Sequence, residues 1–202
     1  MVKAGLTGGI GSGKSVVANM FKDEGAYIID FDELSRIVVE PGKPAWRKIV
    51  EYFGDGILSQ NRELNRPVLA KIVFSDNKSR EVLEGFIHPR VLMESDALIK
   101  EISERDPFSI IIIDFPLLFE LNMKEGFKKI ILAYACRDIQ LKRVMKRDDA
   151  SKEDVEKRLR AQMSIEEKRL MSDYVIDTQG SFDNTRSQVK KIMNELKKFE
   201  KK

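Results

Sequence analysis

Near the start of the chain Gly8, Gly9, Gly11 and Gly13 crowd into a short turn, with Lys14 and Ser15 directly behind them. Gly8 to Ser15 satisfies the pattern G-x-x-x-x-G-K-[ST] at every fixed position. The partly apolar stretch MVKAGL precedes the turn, and Val16, Val17, Met20 and Phe21 open a helical period after it. A strand, a glycine turn and a helix in that order narrow the choice of folds to those that carry a phosphate-binding loop. Glycine tolerates φ > 0 and lets backbone approach an anion without a Cβ in the way. Successive N–H groups at a helix N-terminus then form a nest whose donors and dipole favour phosphate. The turn is therefore expected to hold a nucleoside triphosphate, with Lys14 on the β- and γ-phosphates and the Ser15 hydroxyl on Mg²⁺. The plain alternative is a glycine-rich turn with a chance Gly-Lys-Ser, which the spacing and the flanking elements disfavour.

The rest of the chain suits an α/β protein of one domain. Ala26 to Ile29 reads as a second buried strand after Gly25, a C-cap to the first helix. Ser109 to Ile113 is β-branched and apolar on both faces, Lys129 to Tyr134 makes a fourth strand, and Tyr174 to Ile176 a fifth. Pro41-Gly42-Lys43-Pro44 breaks the alternation, and from there to about Arg105 the pattern is helical. Trp46, Ile49, Val50 and Phe53 share one helix. Asn65 caps another with Pro67 in its first turn, and a third through Val82, Leu83, Phe86 and Ile87 is interrupted at His88-Pro89. The expected architecture is a phosphate-loop core of 1–40, 106–136 and 164–202 with a five-stranded, mostly parallel sheet, a helical insert at 41–105 for a second substrate, and a helical lid at 137–163. Ser151 with Asp154, and Ser164 with Glu167, have capping-box spacing and start two helices around the end of that lid. A last helix carries Val189, Ile192, Leu196 and Phe199 toward the core, and Lys197, Lys198, Lys201 and Lys202 read as a solvated tail.

Composition excludes more than it selects. In 202 residues, 36 Lys+Arg against 33 Asp+Glu leave a net charge of +3, too balanced to make nucleic acid the main partner. The one cysteine, Cys136, follows an apolar run and reads as a strand-end thiol. The longest apolar run, Ile110 to Ile113, is far too short to span a bilayer, and no leader is expected ahead of the first strand. The expectation is a cytoplasmic protein with no membrane, nucleic-acid or obligate protein partner.

Several polar residues need a role. Asp30 and Asp32 follow the second strand, at the end where open α/β sheets bind ligands. Carboxylates there repel a triphosphate unless they hold Mg²⁺ or accept a proton, although Asp30 alone would serve equally as a helix N-cap. Asp114 follows the third strand, as a Mg²⁺-supporting acid does. Phe115 to Glu120 is either a buried connector or a wall of the substrate cleft. Arg143 and Arg147 lie one turn apart on a basic helix, and paired guanidinium groups suit phosphate oxygens. His88, the only histidine, reads from its surroundings as a structural residue at a helix end. A guanine-type switch signature is missing, since Asn77-Lys78-Ser79-Arg80 fails N-K-x-D at its last position.

Taken together, GLTGGIGSGKS at 5–15, IDFDELSR at 29–36, VVEPG at 38–42, His88-Pro89, PLLFE at 116–120, QLKRVMKRDD at 140–149 and DYVIDTQG at 173–180 resemble the dephospho-coenzyme A kinase family, in the family's order and over most of the chain. The resemblance implies transfer of the ATP γ-phosphate to the ribose 3′-hydroxyl of dephospho-CoA, with ATP and Mg²⁺ as cofactors. It implies Asp32 as general base, with Lys14 and Arg143 also catalytic. ATP would be held by Gly8, Gly9, Ile10, Gly11, Ser12, Gly13, Lys14, Ser15, Val16, Arg143, Arg147 and Gly180. It further implies Asp32, His88, Pro116, Leu117 and Gln162 on the substrate, and Ser15 and Asp114 on the metal. Thr178 stands where the family usually has Asn. The nearest rival is a kinase acting on another small-molecule or nucleoside hydroxyl.

Overall fold

The structure, a computed structural model, describes residues 1–199, so Lys201 and Lys202 of the expected tail lie outside the described residues. The chain forms two compact units, Met1–Asp30 with the chain from Glu101 onward, and Phe31–Lys100. The second unit overlaps the expected insert but takes in the helix that follows the second strand and stops at Lys100.

The first unit is built on a five-stranded sheet of β1 (Val2–Thr7), β2 (Tyr27–Asp30), β3 (Ile110–Asp114), β4 (Lys129–Tyr134) and β5 (Tyr174–Asp177). The order is β2-β3-β1-β4-β5, and every adjacent pair is parallel. Central strands of such a sheet are covered on both faces, which is why Ile110 to Ile113 can be apolar without alternation. Side-chain direction still alternates. Ile131 and Ala133 pack with α1 (Lys14–Asp23) and α9 (Phe182–Lys197) through Val17, Phe21, Val189 and Leu196, whereas Leu132 and Tyr134 meet Ile165 of α8 (Ile165–Met171) on the other face. β2 and β3 each extend one residue beyond the apolar run. Asp30 and Asp114 are therefore strand residues in direct register rather than loop residues.

Between β4 and α8 run α6 (Arg137–Asp148) and α7 (Lys152–Arg160). α6 ends at Asp149 in the left-handed region (φ 49°). The Ser151 hydroxyl accepts from Asp154 N at 3.2 Å, and Ser164 and Glu167 close a full capping box. These starts and stops follow the sequence expectation closely, because caps are local chemistry.

The second unit holds α2 (Phe31–Ile37), α3 (Pro44–Phe53), a 3-10 turn (Asp55–Ile57), α4 (Arg66–Ser75) and most of α5 (Asn77–Arg105). The Asn65 side chain accepts from Val68 N at 3.2 Å, as its N-cap position requires. Trp46 is buried and its indole N–H donates to the Arg62 carbonyl at 3.0 Å. One expectation is overturned: the helix is not interrupted at His88-Pro89 but continues through all 29 residues of α5. A proline ring clashes with the carbonyl four residues back and removes its donor. Here that residue is Gly85, exposed and with open space around it, so its carbonyl can turn to water. His88 consequently sits mid-helix, half-buried, and not at a helix end.

Candidate active site

The glycine loop leaves β1 and enters α1 with Gly13 as its N-cap at φ 84°. Gly11 also takes a left-handed φ, 76°, and a Cβ there would lie 2.7 Å from the Gln140 carbonyl oxygen and 2.8 Å from Val144 Cγ2. The loop is thus pressed against the first turns of α6, and only glycine fits. Lys14 extends to the sheet edge and forms an ion pair with Asp114, both side chains largely buried. Ser15 and Val16 are exposed beside it.

Arg143 comes to this loop from α6. One guanidinium nitrogen donates to the Gly11 carbonyl at 3.3 Å and to Thr178 Oγ1 at 3.0 Å, and the other donates to the Thr178 carbonyl at 2.6 Å. Thr178 is itself a hub. Its hydroxyl donates to the Ser12 carbonyl at 2.7 Å, with the Tyr134 carbonyl 3.0 Å away, and its N–H donates to that same Tyr134 oxygen at 2.9 Å. The loop after β5 is therefore stitched to the phosphate loop and to β4 at one buried side chain. Beside these residues opens a cavity of about 250 Å³ lined by Gly13, Val16, Arg143, Thr178, Gly180, Phe182 and Thr185. Its walls combine glycine backbone, the Val16 and Phe182 side chains, two threonines and one guanidinium, a surface suited to a flat heterocycle with a few polar groups.

Arg147 does not share this position. It turns to Asp148, donating at 2.7 and 3.1 Å, and that hydrogen bond holds its guanidinium above the ordinary arginine range. Arg158 donates to the same carboxylate at 2.8 Å, so α6 and α7 meet at Asp148.

On the other side of the loop, Ile10 N donates to Gln162 Oε1 at 2.9 Å. The Pro116 carbonyl accepts from Thr7 Oγ1 at 3.1 Å and from Lys168 Nζ at 2.8 Å. In the segment after β3, Phe115, Leu118 and Phe119 are buried, while Leu117 is 39% exposed. Glu120 accepts from Lys168 Nζ at 2.8 Å and from Met163 N at 3.1 Å. Burial pushes the Lys168 ammonium below its ordinary range, Glu120 pulls it back, and Lys14 adds to the depression.

Residues 2–184 match the dephospho-CoA kinase family. The chain belongs to that family. A dephospho-CoA kinase of Syntrophus aciditrophicus is 39% identical over 201 residues, which span all of this chain and 86% of the relative. Another, of Halalkalibacterium halodurans, is 42% identical over 193 residues, 96% of each chain. Among solved structures, a Thermus thermophilus protein superposes with a TM-score of 0.81 at 32% identity, covering 96% of this chain and 97% of the other. Dephospho-CoA kinase from Campylobacter jejuni superposes at 0.64 with 25% identity, covering 97% of each.

In this member of the dephospho-CoA kinase family, the phosphate loop, Lys14, Asp114, Arg143, Pro116, Gln162 and Gly180 converge within the sheet-bearing unit. Asp32 and His88 belong to the helical unit, where Asp32 is exposed in the first turn of α2. Four side chains that sequence reasoning passed over support the site. Thr178 looked only like a lost asparagine, and Gln140, buried and donating to the Ala135 carbonyl at 2.9 Å, had been given no role of its own. Gln140 could have been found, since it is spaced three and four residues from Arg143 and Val144 and so shares their face. Lys168 and Glu120 gave no such signal. Both are charged residues whose burial depends on partners far away in sequence.

Proposed function

We propose that this chain transfers the γ-phosphate of ATP to the ribose 3′-hydroxyl of dephospho-CoA, giving CoA and ADP. The observation that carries this, beyond family membership, is the anchoring of Arg143 on the Gly11 carbonyl and Thr178. It puts a second fixed cation on the loop that bears Lys14. Phosphoryl transfer needs little covalent help from the protein, and most of its acceleration comes from alignment and from neutralising charge on the transferring oxygens. The nest of N–H groups from Gly11 to Val16 would seat the β- and γ-phosphates, with Lys14 leaving Asp114 to reach them. Arg143 would lie over the same oxygens, and the cavity by Gly180 and Phe182 would take the adenine.

Asp32 would accept the proton of the acceptor hydroxyl as its oxygen attacks phosphorus. Its place two residues beyond β2, at the carboxyl end of a parallel strand, is where such sheets present chemistry. His88, Leu117 and Gln162 would contact the acceptor, and residues 137–163 would act as the lid and Phe31–Lys100 as the acceptor-binding unit.

The donor set fits Mg²⁺, which prefers one or two protein oxygens together with substrate phosphates. Ser15 Oγ and an Asp114 carboxylate oxygen would hold it, and when bound it supplies charge neutralisation across the β- and γ-phosphates. No helix among the described residues is long and apolar enough to cross a membrane. We place the enzyme in the cytoplasm, with no nucleic-acid or obligate protein partner.

A coupled ADP-release assay comparing dephospho-CoA with nucleosides and nucleotides tests the assignment. Turnover with dephospho-CoA is expected; turnover only with the others would overturn it.

A further inference from the structure

Lys168 lies on α8 between Glu167, of the capping box, and Arg169, where a lysine would ordinarily reach water. Its side chain is instead fully buried. Taking an ammonium out of water costs several kcal/mol, and a buried pair recovers this only when every donor and acceptor is satisfied. That condition fails here, because Glu120 Oε2 is buried with no hydrogen-bond partner among the described residues. The pair is thus a poor device for stability, and its position suggests a different use.

Each end of the pair shares an acceptor with a strategic neighbour. Glu120 Oε1 takes the Lys168 ammonium at 2.8 Å and the Met163 N–H at 3.1 Å. The Pro116 carbonyl takes the same ammonium at 2.8 Å and the Thr7 hydroxyl at 3.1 Å. Thr7 is the residue before Gly8. Gln162, the residue before Met163, receives the Ile10 N–H at 2.9 Å. The phosphate loop is therefore gripped at the strand residue just before it and again at Ile10, and both grips run back to one buried ammonium.

We infer that Lys168 and Glu120 are a positioning pair for phosphoryl transfer, which fixes the 162–163 junction so that Gln162 holds Ile10 and, through it, the shape of the phosphate loop. The inference rests on the proposed function for the meaning of the loop, but not for the contacts themselves. Neither residue touches substrate. They act through Gln162 and Thr7, and small displacements at a phosphoryl centre are expensive.

The test measures kcat, KM for ATP, thermal stability and amide exchange at Ile10 in the full chain. Lys168→Met is expected to lower kcat by roughly 100-fold, the loss a displacement of about 1 Å can cause. KM for ATP should change less than about threefold, the pattern of a lost transition-state interaction. Ile10 should exchange faster. Lys168→Met with Glu120→Met removes both charges and with them the acceptor of the Met163 N–H, so melting temperature should recover and kcat should not. Gln162 is half-buried, so Gln162→Leu should fold. Because Gln162 is also proposed to contact the acceptor, its supporting readout is Ile10 exchange, which should rise as in Lys168→Met, and combining the two variants should add little to it. Recovery of kcat in the charge-free pair would overturn the inference, as would unchanged Ile10 exchange or fully multiplicative effects. If Lys168→Met does not fold, Gln162→Leu decides alone: wild-type kcat there rejects the inference. An inactive wild-type protein would reject the proposed function instead, and Ile10 exchange would still judge the pair.

Discussion

Replacing Thr178 by valine removes one hydroxyl and almost no volume, at a residue that is 8% exposed. Three contacts change. The Ser12 carbonyl loses its 2.7 Å donor, Arg143 loses one of its three acceptors, and the 3.0 Å approach to Tyr134 disappears. Tyr134 keeps the Thr178 N–H, and Arg143 keeps the Thr178 and Gly11 carbonyls. The unreplaced loss is therefore the Ser12 carbonyl, left buried against a methyl group, which costs about 1–3 kcal/mol. For a chain of this size, about 2 kcal/mol corresponds to a fall in Tm of roughly 4–8 °C. The same change loosens Arg143 over the phosphate loop. If half of that energy also appears in the transition state, kcat/KM for ATP drops by about fivefold. Differential scanning fluorimetry and steady-state kinetics measure the two effects side by side. Thr178→Ser is the control: it keeps the hydroxyl and gives up one methyl group, about 0.8 kcal/mol. If valine matched wild type in both measurements, or if serine were the worse of the two, the hydroxyl would not be the tie described above.

Three further outcomes follow from particular contacts. Gly11→Ala forces a Cβ to within 2.7 Å of the Gln140 carbonyl at a left-handed φ, and should abolish ATP-induced thermal stabilisation while lowering Tm; an intact ATP response in that variant would refute the packing described for the loop and α6. Asp32→Asn should lower kcat by orders of magnitude with ATP affinity largely preserved, as single-turnover and equilibrium binding measurements would show; near-normal turnover removes Asp32 as the base. Burial raises the Asp173 carboxyl, but Lys129 at 2.7 Å and the Ile130 N–H at 2.8 Å outweigh it and hold it below the ordinary carboxylate range. A depressed carboxyl contributes stability above its unfolded value, about pH 4, and loses it as pH falls through the lower folded value. Asp173→Asn should therefore flatten the dependence of Tm on pH below about 5, and an unchanged acid slope would contradict this.

The readability of this chain follows how local each signal is. Caps and turns were legible because Asn65, Ser151 and Ser164 bond within a few residues of themselves. The strands were legible because burial on both faces leaves an apolar run, though each acid after the run proved to be the last strand residue. The break assigned at His88-Pro89 failed: α5 runs on through Pro89, whose ring faces the carbonyl of an exposed residue, Gly85, that water can reach. Arg143 and Arg147 were indistinguishable by spacing. Only the fold decides that one meets Gly11 and Thr178 and the other Asp148.

The sequence by itself determined the donor chemistry. Four glycines within six residues, followed by a lysine and a serine ahead of a helical period, carry the pattern of a phosphate-binding loop, since the reason lies in the residues' own backbone freedom and charge. Tertiary structure alone decided what holds that cradle in shape. Thr178 meets Ser12 across 166 positions of chain, Gln162 meets Ile10 across 152, and Lys168 meets Pro116 across 52. Contacts closed over such distances leave no periodicity behind, because either partner taken alone is an ordinary threonine, glutamine or lysine until the sheet brings the other beside it.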